Sequence, residues 1–194
     1  MSIKDDLAYL RSISSFIALT TFVFFLTSVM GYWAAGADPD LASQWRAQLD
    51  ALRWILEQPP LTIMIIIFLK NLLASAMAML LGLGLGLIPL LVATSNGFLL
   101  GVVAHGAIQQ SGPLFLAAGI LPHGILELPA VLVSIAIGFR LGYLLALTLA
   151  REKADLAGET RIAVRFLWRY ITPTLFLAAI IETFITPIAI SVVS

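Results

Sequence analysis

The feature that most constrains the fold is an almost continuously apolar stretch over residues 61–94. As one straight helix it would be about 50 Å long at about 1.5 Å per residue, whereas the hydrocarbon core of a bilayer is about 30 Å thick. The stretch must therefore tilt, break or turn. Glycines 82, 84 and 86, followed by Pro89, mark where we expect the break.

The composition agrees with a chain buried in lipid. It is 60% hydrophobic and only 11% charged, whereas a soluble domain carries roughly 25% charged residues. Further apolar runs exceed the roughly 18 residues typical of a transmembrane helix. The sequence predicts an all-α, polytopic transmembrane helical bundle of five to six spans, with broken or re-entrant half-helices and one amphipathic interfacial helix. The 11 basic and 11 acidic residues cancel, so no nucleic-acid partner is indicated.

We predict a single membrane domain over residues 1–194. The first span covers 12–33; its apolar run is too long for the h-region of a signal peptide, so we expect it to be retained. Residues 38–58 alternate leucines and charges at helical spacing, which predicts an amphipathic helix at the membrane surface.

The core spans, with broken helices, are predicted over 61–150. Asn96-Gly97 is a turn signal, and residues 97–110 and 114–121 are both short for complete spans. They form either two half-helices or one broken span, and a long helix follows from 123 to 150. The remaining predicted segments are a basic connection over 151–169 and a last span over 170–193.

The basic residues predict the orientation of these spans. Five Lys or Arg residues lie in the 151–169 connection, whereas two lie between residues 36 and 60. By the positive-inside rule, the 151–169 connection is cytoplasmic, and Lys4 and Arg11 place the N-terminus on the same side. The protein is thus predicted to be a multi-pass protein of the cell membrane.

A short stretch at residues 122–129, Pro-His-Gly-Ile-Leu-Glu-Leu-Pro, carries the most informative polar side chains. His123 and Glu127 are four residues apart and share one helix face. Ionisable groups within a bilayer are costly and usually mark a functional site. We therefore predict a polar centre made of the following residues: Lys70, Asn71, Asn96, His123, Glu127 and Glu182.

Three interpretations of this polar centre remain open. In the first it is structural, and Lys70 pairs with Glu127 or Glu182. In the second the carboxylates and His123 carry protons or ions. In the third, His123, Glu127 and Glu182 bind a divalent metal ion, which is the one cofactor that these side chains indicate. In a hydrolytic form of this interpretation the metal activates a water molecule.

The chain resembles the stage II sporulation protein M family of integral membrane proteins. The resemblance rests on Asn71, Asn96-Gly97, the 122–129 stretch and Glu182-Thr183-Phe184-Ile185-Thr186-Pro187, and covers roughly residues 61–190. In endospore-forming bacteria the founding member belongs to a membrane complex with cell-wall hydrolases that remodels peptidoglycan during engulfment, and relatives occur in organisms without spores. The resemblance implies a membrane-complex component and assigns no catalytic activity to it.

The favoured prediction is thus a non-enzymatic membrane component that assembles with partner proteins or with itself, in contact with the lipid bilayer. The alternative is a small ion- or proton-coupled permease or channel. An intramembrane metal-dependent hydrolase is the third prediction.

Overall fold

The computed structural model describes residues 3–38, 40 and 53–193. This part of the chain is 91% helical and has no strand, and five of its helices are long and apolar enough to cross a membrane. The predicted class, a polytopic bundle of transmembrane helices, is confirmed. The amphipathic helix predicted over 38–58 lies mostly outside the described residues.

Within residues 53–193 the helices follow one another with short connections. The described helices are α1 (Ile3–Ser12), α2 (Ser14–Ala37), α3 (Arg53–Leu56), α4 (Pro60–Leu80), α5 (Leu87–Ser111), α6 (Pro113–Leu149), α7 (Leu156–Phe166), α8 (Thr172–Ile180) and α9 (Thr186–Val193). Helices α7, α8 and α9 continue one another through two π-helical turns, Leu167–Ile171 and Ile181–Ile185, and form a single span.

The long apolar stretch breaks at its glycines, as predicted. Helix α4 ends in a 3₁₀ turn, Leu81–Leu83, and Gly86 adopts a left-handed φ of 80° before α5 begins. Glycine takes this conformation without the steric cost that a Cβ would add. The stretch therefore contains α4 and the beginning of α5 rather than one continuous helix.

The turn predicted at Asn96-Gly97 is wrong, because both residues lie inside α5. Gly97 is used for packing: a Cβ added there would collide with the Thr27 hydroxyl and the Phe24 carbonyl of α2. Helices in lipid approach closely where small residues face each other. A glycine that permits such contact is indistinguishable, in one sequence, from a glycine in a turn.

The boundaries predicted for the half-helices are also wrong. Residues 97–110 belong to α5, and residues 114–121 are the beginning of α6, which runs unbroken for 37 residues. Pro122 and Pro129 lie inside α6 without ending it, since neighbouring helices hold it in place. Only residues 151–155 of the predicted 151–169 connection lie outside a helix.

Helix α6 is the centre of the bundle. Its most apolar window is 56% buried, against 17–28% for the other four spans, and it packs against α2, α4, α5, α8 and α9. Residues on α6 are therefore the ones that all other spans can reach.

Helix α1 and the beginning of the last span lie at the same end of the bundle. The Tyr9 and Phe166 rings are 5.8 Å apart. Asp6 accepts a 2.6 Å hydrogen bond from the Tyr170 hydroxyl and pairs with Arg169 at 3.2 Å. We call this the α1 end.

The two π turns have the same local sequence cause. An aromatic-Ile-Thr-Pro motif occurs at residues 170–173 and again at 184–187. Proline has no N–H and its ring clashes with the carbonyl four residues earlier, so a helix cannot keep its normal pattern there. In both places the threonine N–H bonds five residues back instead, Thr172 to Leu167 and Thr186 to Ile181.

Candidate functional site

Three polar side chains converge on one face of α6. His123, Glu127 and Glu182 each offer one ligand atom, and these atoms all lie within 4.8 Å of one another. The first two come from α6, and Glu182 comes from the second π turn. All three side chains are half-buried. Among the described residues this is the group of His and acidic side chains with a geometry suited to a metal ion.

The local backbone explains why these three meet. His123 and Glu127 are one helical turn apart and therefore point from the same face of α6. The π turn widens the last span at Ile181–Ile185; such bulges redirect side chains and are frequent at functional sites. Glu182 lies near the start of this turn.

Thr186 supports the histidine. Its hydroxyl lies 3.3 Å from His123 Nδ1 and also donates to the Ile181 carbonyl at 3.3 Å. In the His123 tautomer that carries its proton on Nδ1, this hydroxyl accepts from the Nδ1–H, and Nε2 keeps a free lone pair. A histidine whose second nitrogen is held in this way is the form that commonly binds a metal.

The acidic pair makes no ion pair within 4.0 Å among the described residues. Glu127 Oε2 is buried and has no hydrogen-bond partner in the described part of the protein. Lys70 acts on Glu127 electrostatically, but no ion pair within 4.0 Å joins them among the residues that the structure describes. The direct pairing predicted for Lys70 in the structural interpretation is not observed.

A cavity of about 520 Å³ adjoins the acidic pair. It lies between α4, α5 and α6 and is lined mainly by apolar side chains. Its polar lining residues are Lys70, Asn71, Asn96, His123 and Glu127. The structure thus places five of the six predicted polar-centre residues around one cavity, and Glu182 contacts it only through the cluster with Glu127.

The three residues outside the cluster differ in their surroundings. Asn71 is 9% exposed, on the inner wall. Asn96 is exposed and its amide donates to the Val92 carbonyl of its own helix at 2.8 Å. Lys70 is exposed at the surface of the bundle, so Lys70 and Asn96 lie at the mouth of the cavity.

Two threonines of this region, both quoted in the resemblance, were not predicted as site residues. Thr186 contacts His123, and the Thr183 hydroxyl is buried without a hydrogen-bond partner within the described residues. Threonine in an apolar helix is common, so neither residue is conspicuous. The repeated Ile-Thr-Pro motif was the available signal, because it predicts a widened helix next to Glu182.

A second polar group lies at the α1 end. Arg140 of α6 lies 3.8 Å from Glu159 of α7, beside Tyr9. Burial, reinforced by the nearby Glu159 carboxylate, raises the pKa of the Tyr9 phenol well above its usual range. This group joins α1 to the bundle, and its Tyr9 belongs to the same apolar core cluster as Ile137 and Leu141.

The cluster near the cavity has the chemistry of a cation site. Imidazole and carboxylate ligands suit Zn²⁺, Mn²⁺ or Fe²⁺. Three protein ligands leave further coordination positions for water or for a bound molecule. Without a cation, two ionised carboxylates this close repel each other by on the order of 3 kcal/mol at an effective dielectric constant of about 20.

Comparisons with known proteins agree with the resemblance seen in the sequence. The family model described as stage II sporulation protein M matches residues 20–187, so the match begins in α2 rather than at residue 61. An uncharacterized protein of Methanocaldococcus jannaschii is 37% identical over 94 residues, which are 47% of this chain and 53% of that protein. The chain thus covers about half the length of that relative. No solved structure matches the chain significantly. The protein is a membrane protein that belongs to the stage II sporulation protein M family.

Proposed function

We propose that the protein is a non-enzymatic, divalent-cation-binding component of a membrane complex, and that His123, Glu127 and Glu182 bind the cation. The observation that carries the proposal is the convergence of their ligand atoms within 4.8 Å. Glu182 lies 55 positions beyond Glu127, on a different span, so the fold has to bring it there. The role as a complex subunit is supported by the family resemblance.

A cation explains two features that otherwise raise the energy of the fold. The carboxylates of Glu127 and Glu182 are adjacent in a region of low dielectric constant, and buried charge is tolerated when it is paired or coordinates a metal. The buried Glu127 Oε2 has no hydrogen-bond donor within the described residues. A proton shared by the two carboxylates is the competing explanation, and metal analysis distinguishes them.

Binding is better supported than transport. The fully buried interior of the bundle consists mainly of apolar side chains, among them Met79, Ile135, Ile137, Leu141 and Leu175, and it also contains the hydroxyl side chains of Thr20, Ser75 and Ser134. A permease or channel requires a continuous polar path across the bundle. None of these core side chains lines the cavity, so the cavity does not continue through this core. The permease therefore stays a prediction with less support.

Binding is also better supported than hydrolysis. A hydrolase needs a general base near the activated water. The polar residues that line the cavity besides the cluster are Lys70, Asn71 and Asn96, and none of them is a carboxylate or a histidine. The open coordination positions are better suited to hold a ligand.

The orientation proposed from the basic residues places the α1 end in the cytoplasm. In the described part of the chain, four long helices separate α1 from residues 151–155, and this even number of crossings is consistent with their lying at one end. The chain has no cysteine, so single replacements Lys153→Cys and Gln110→Cys can be labelled cleanly. Labelling of Gln110→Cys, but not Lys153→Cys, by an impermeant maleimide on intact cells is expected; the reverse pattern would contradict the orientation.

The cation proposal is tested by metal analysis of detergent-purified protein after dialysis against Mn²⁺ or Zn²⁺. We expect one ion per chain in the wild type and an affinity lower by more than about a hundredfold in Glu182→Gln. Glu152→Gln, which changes an exposed carboxylate in the 151–155 connection, is the matched control and should bind normally. Absence of specific metal in folded wild type would refute the proposal.

A further inference from the structure

We propose that the cavity between α4, α5 and α6 binds a phosphate-bearing membrane lipid, whose phosphate contacts both Lys70 and the cation. This inference rests on the proposed cation, because the two carboxylates alone would repel a phosphate. It adds the chemical class of the ligand to a site so far described only by its metal-binding side chains.

The first observation is the position of the cavity mouth. Lys70 is the eleventh residue of α4, which has 21 residues, and therefore lies near the middle of its span. It is exposed, as are five other lining residues: Ala74, Asn96, Leu121, Ile125 and Pro129. Helices α4 and α5 contact each other little although they follow one another in the chain. The mouth is therefore a lateral opening, facing the hydrocarbon region of the bilayer rather than water.

The second observation is the lysine itself. An ammonium group at this depth is costly and is normally paired. No carboxylate lies within 4.0 Å of Lys70 in the described ranges, 3–38, 40 and 53–193. With a divalent cation on Glu127 and Glu182, Lys70 leaves the site with one net positive charge. An anionic group entering through the mouth neutralises it.

The third observation is the lining of the cavity. Thirteen of its eighteen lining residues are apolar, among them Phe24, Leu99 and Val103, whereas a site for a free ion has polar walls. A volume of about 520 Å³ lies in the range of ordinary ligand pockets. The cavity therefore has a polar end and apolar walls. A lipid would fit this arrangement with its phosphate at the polar end and its acyl chains along the apolar walls. Asn71, on the inner wall, supplies an additional amide donor.

The test uses the metal-loaded, detergent-purified full chain and three probes: dioctanoyl phosphatidic acid, dioctanoylglycerol and inorganic phosphate. We expect the phosphatidic acid to bind at least about tenfold more tightly than either other probe. Lys70→Met should weaken its binding by about tenfold or more while the metal content stays at the wild-type value. Lys153→Met, an exposed lysine outside the cavity, is the matched control and should bind like the wild type.

A second variant covers the case in which Lys70→Met folds poorly. Ala74→Phe places a ring on the apolar wall of the cavity and should exclude the lipid while sparing the metal. Equal binding of phosphatidic acid and dioctanoylglycerol, with metal present, would overturn this inference and leave the cation proposal intact. Inorganic phosphate that binds as tightly as the lipid would overturn the lipid source. Wild type without metal would overturn both proposals together.

Discussion

The hydrogen bond between Thr186 and His123 provides a sensitive prediction about the cation site. Thr186→Val removes the hydroxyl but keeps the shape of the side chain, so the packing of α9 is preserved. The hydroxyl lies 3.3 Å from His123 Nδ1, which is long for a hydrogen bond. Loss of a partner that orients a metal-binding histidine costs about 10–100-fold in affinity. The long distance favours the lower limit, about tenfold, or about 1.4 kcal/mol.

The second π turn has a natural control in the first. Thr172 occupies the position equivalent to Thr186, before Pro173, and its hydroxyl is buried without a hydrogen-bond partner in the described structure. Thr172→Val should therefore leave the affinity for Mn²⁺ within about threefold of wild type, measured by competition with a fluorescent chelator. Equal affinities in Thr186→Val and Thr172→Val would refute the assigned role of the hydroxyl. At saturating Mn²⁺ both variants should still bind one ion per chain. A variant that has lost its fold would bind less than one, so misfolding can be distinguished from weaker binding.

Three further predictions concern the packing of the bundle. Gly101→Val places a side chain against a backbone carbonyl of α2 and should lower the free energy of unfolding by about 1–3 kcal/mol, seen as a lower melting temperature. Gly106→Ala is the control and should leave the melting temperature unchanged, because an added Cβ there meets nothing within 4 Å. Equal losses of stability in the two variants would contradict the close contact. Asp6→Asn removes a buried charged partner of α1 and should speed tryptic cleavage after Arg11, whereas an unchanged rate would show that this partner does not anchor α1. Burial raises the pKa of Tyr9 above the ordinary value of about 10, so the folded protein keeps a proton that the unfolded chain loses, and stability falls as the pH rises above about 10. Tyr9→Phe should reduce this loss of stability when melting temperatures are measured over a series of alkaline pH values. An identical loss in the variant would refute the assignment.

The membrane class and the break in the long apolar stretch were predictable because both follow from simple quantities. Length against bilayer thickness required the stretch to tilt, break or turn, its glycines marked the place, and the left-handed φ of Gly86 is a conformation that glycine favours. Asn96-Gly97 failed for the opposite reason. The use of Gly97 depends on what α2 places against it, and a single sequence does not contain that contact.

The polar centre was predictable to different degrees. Helical spacing alone relates His123 to Glu127, whereas the approach of Glu182 depends on how the last span packs against α6. In the structural interpretation Lys70 pairs with a carboxylate, whereas in the described structure Lys70 lines a cavity and makes no such ion pair. Cavities arise from the splay of helices such as α4 and α5, which no local pattern in the sequence reports.

The central claim, that His123 and two carboxylates bind a divalent cation, is tested most directly by electron paramagnetic resonance of Mn²⁺-loaded protein. We expect coupling of Mn²⁺ to one histidine nitrogen, and this coupling should shift on ¹⁵N-histidine labelling. The chain has two histidines, so the coupling should be lost in His123→Gln and retained in His105→Gln. A spectrum of fully hydrated Mn²⁺ without nitrogen coupling, in folded wild-type protein, would contradict the claim.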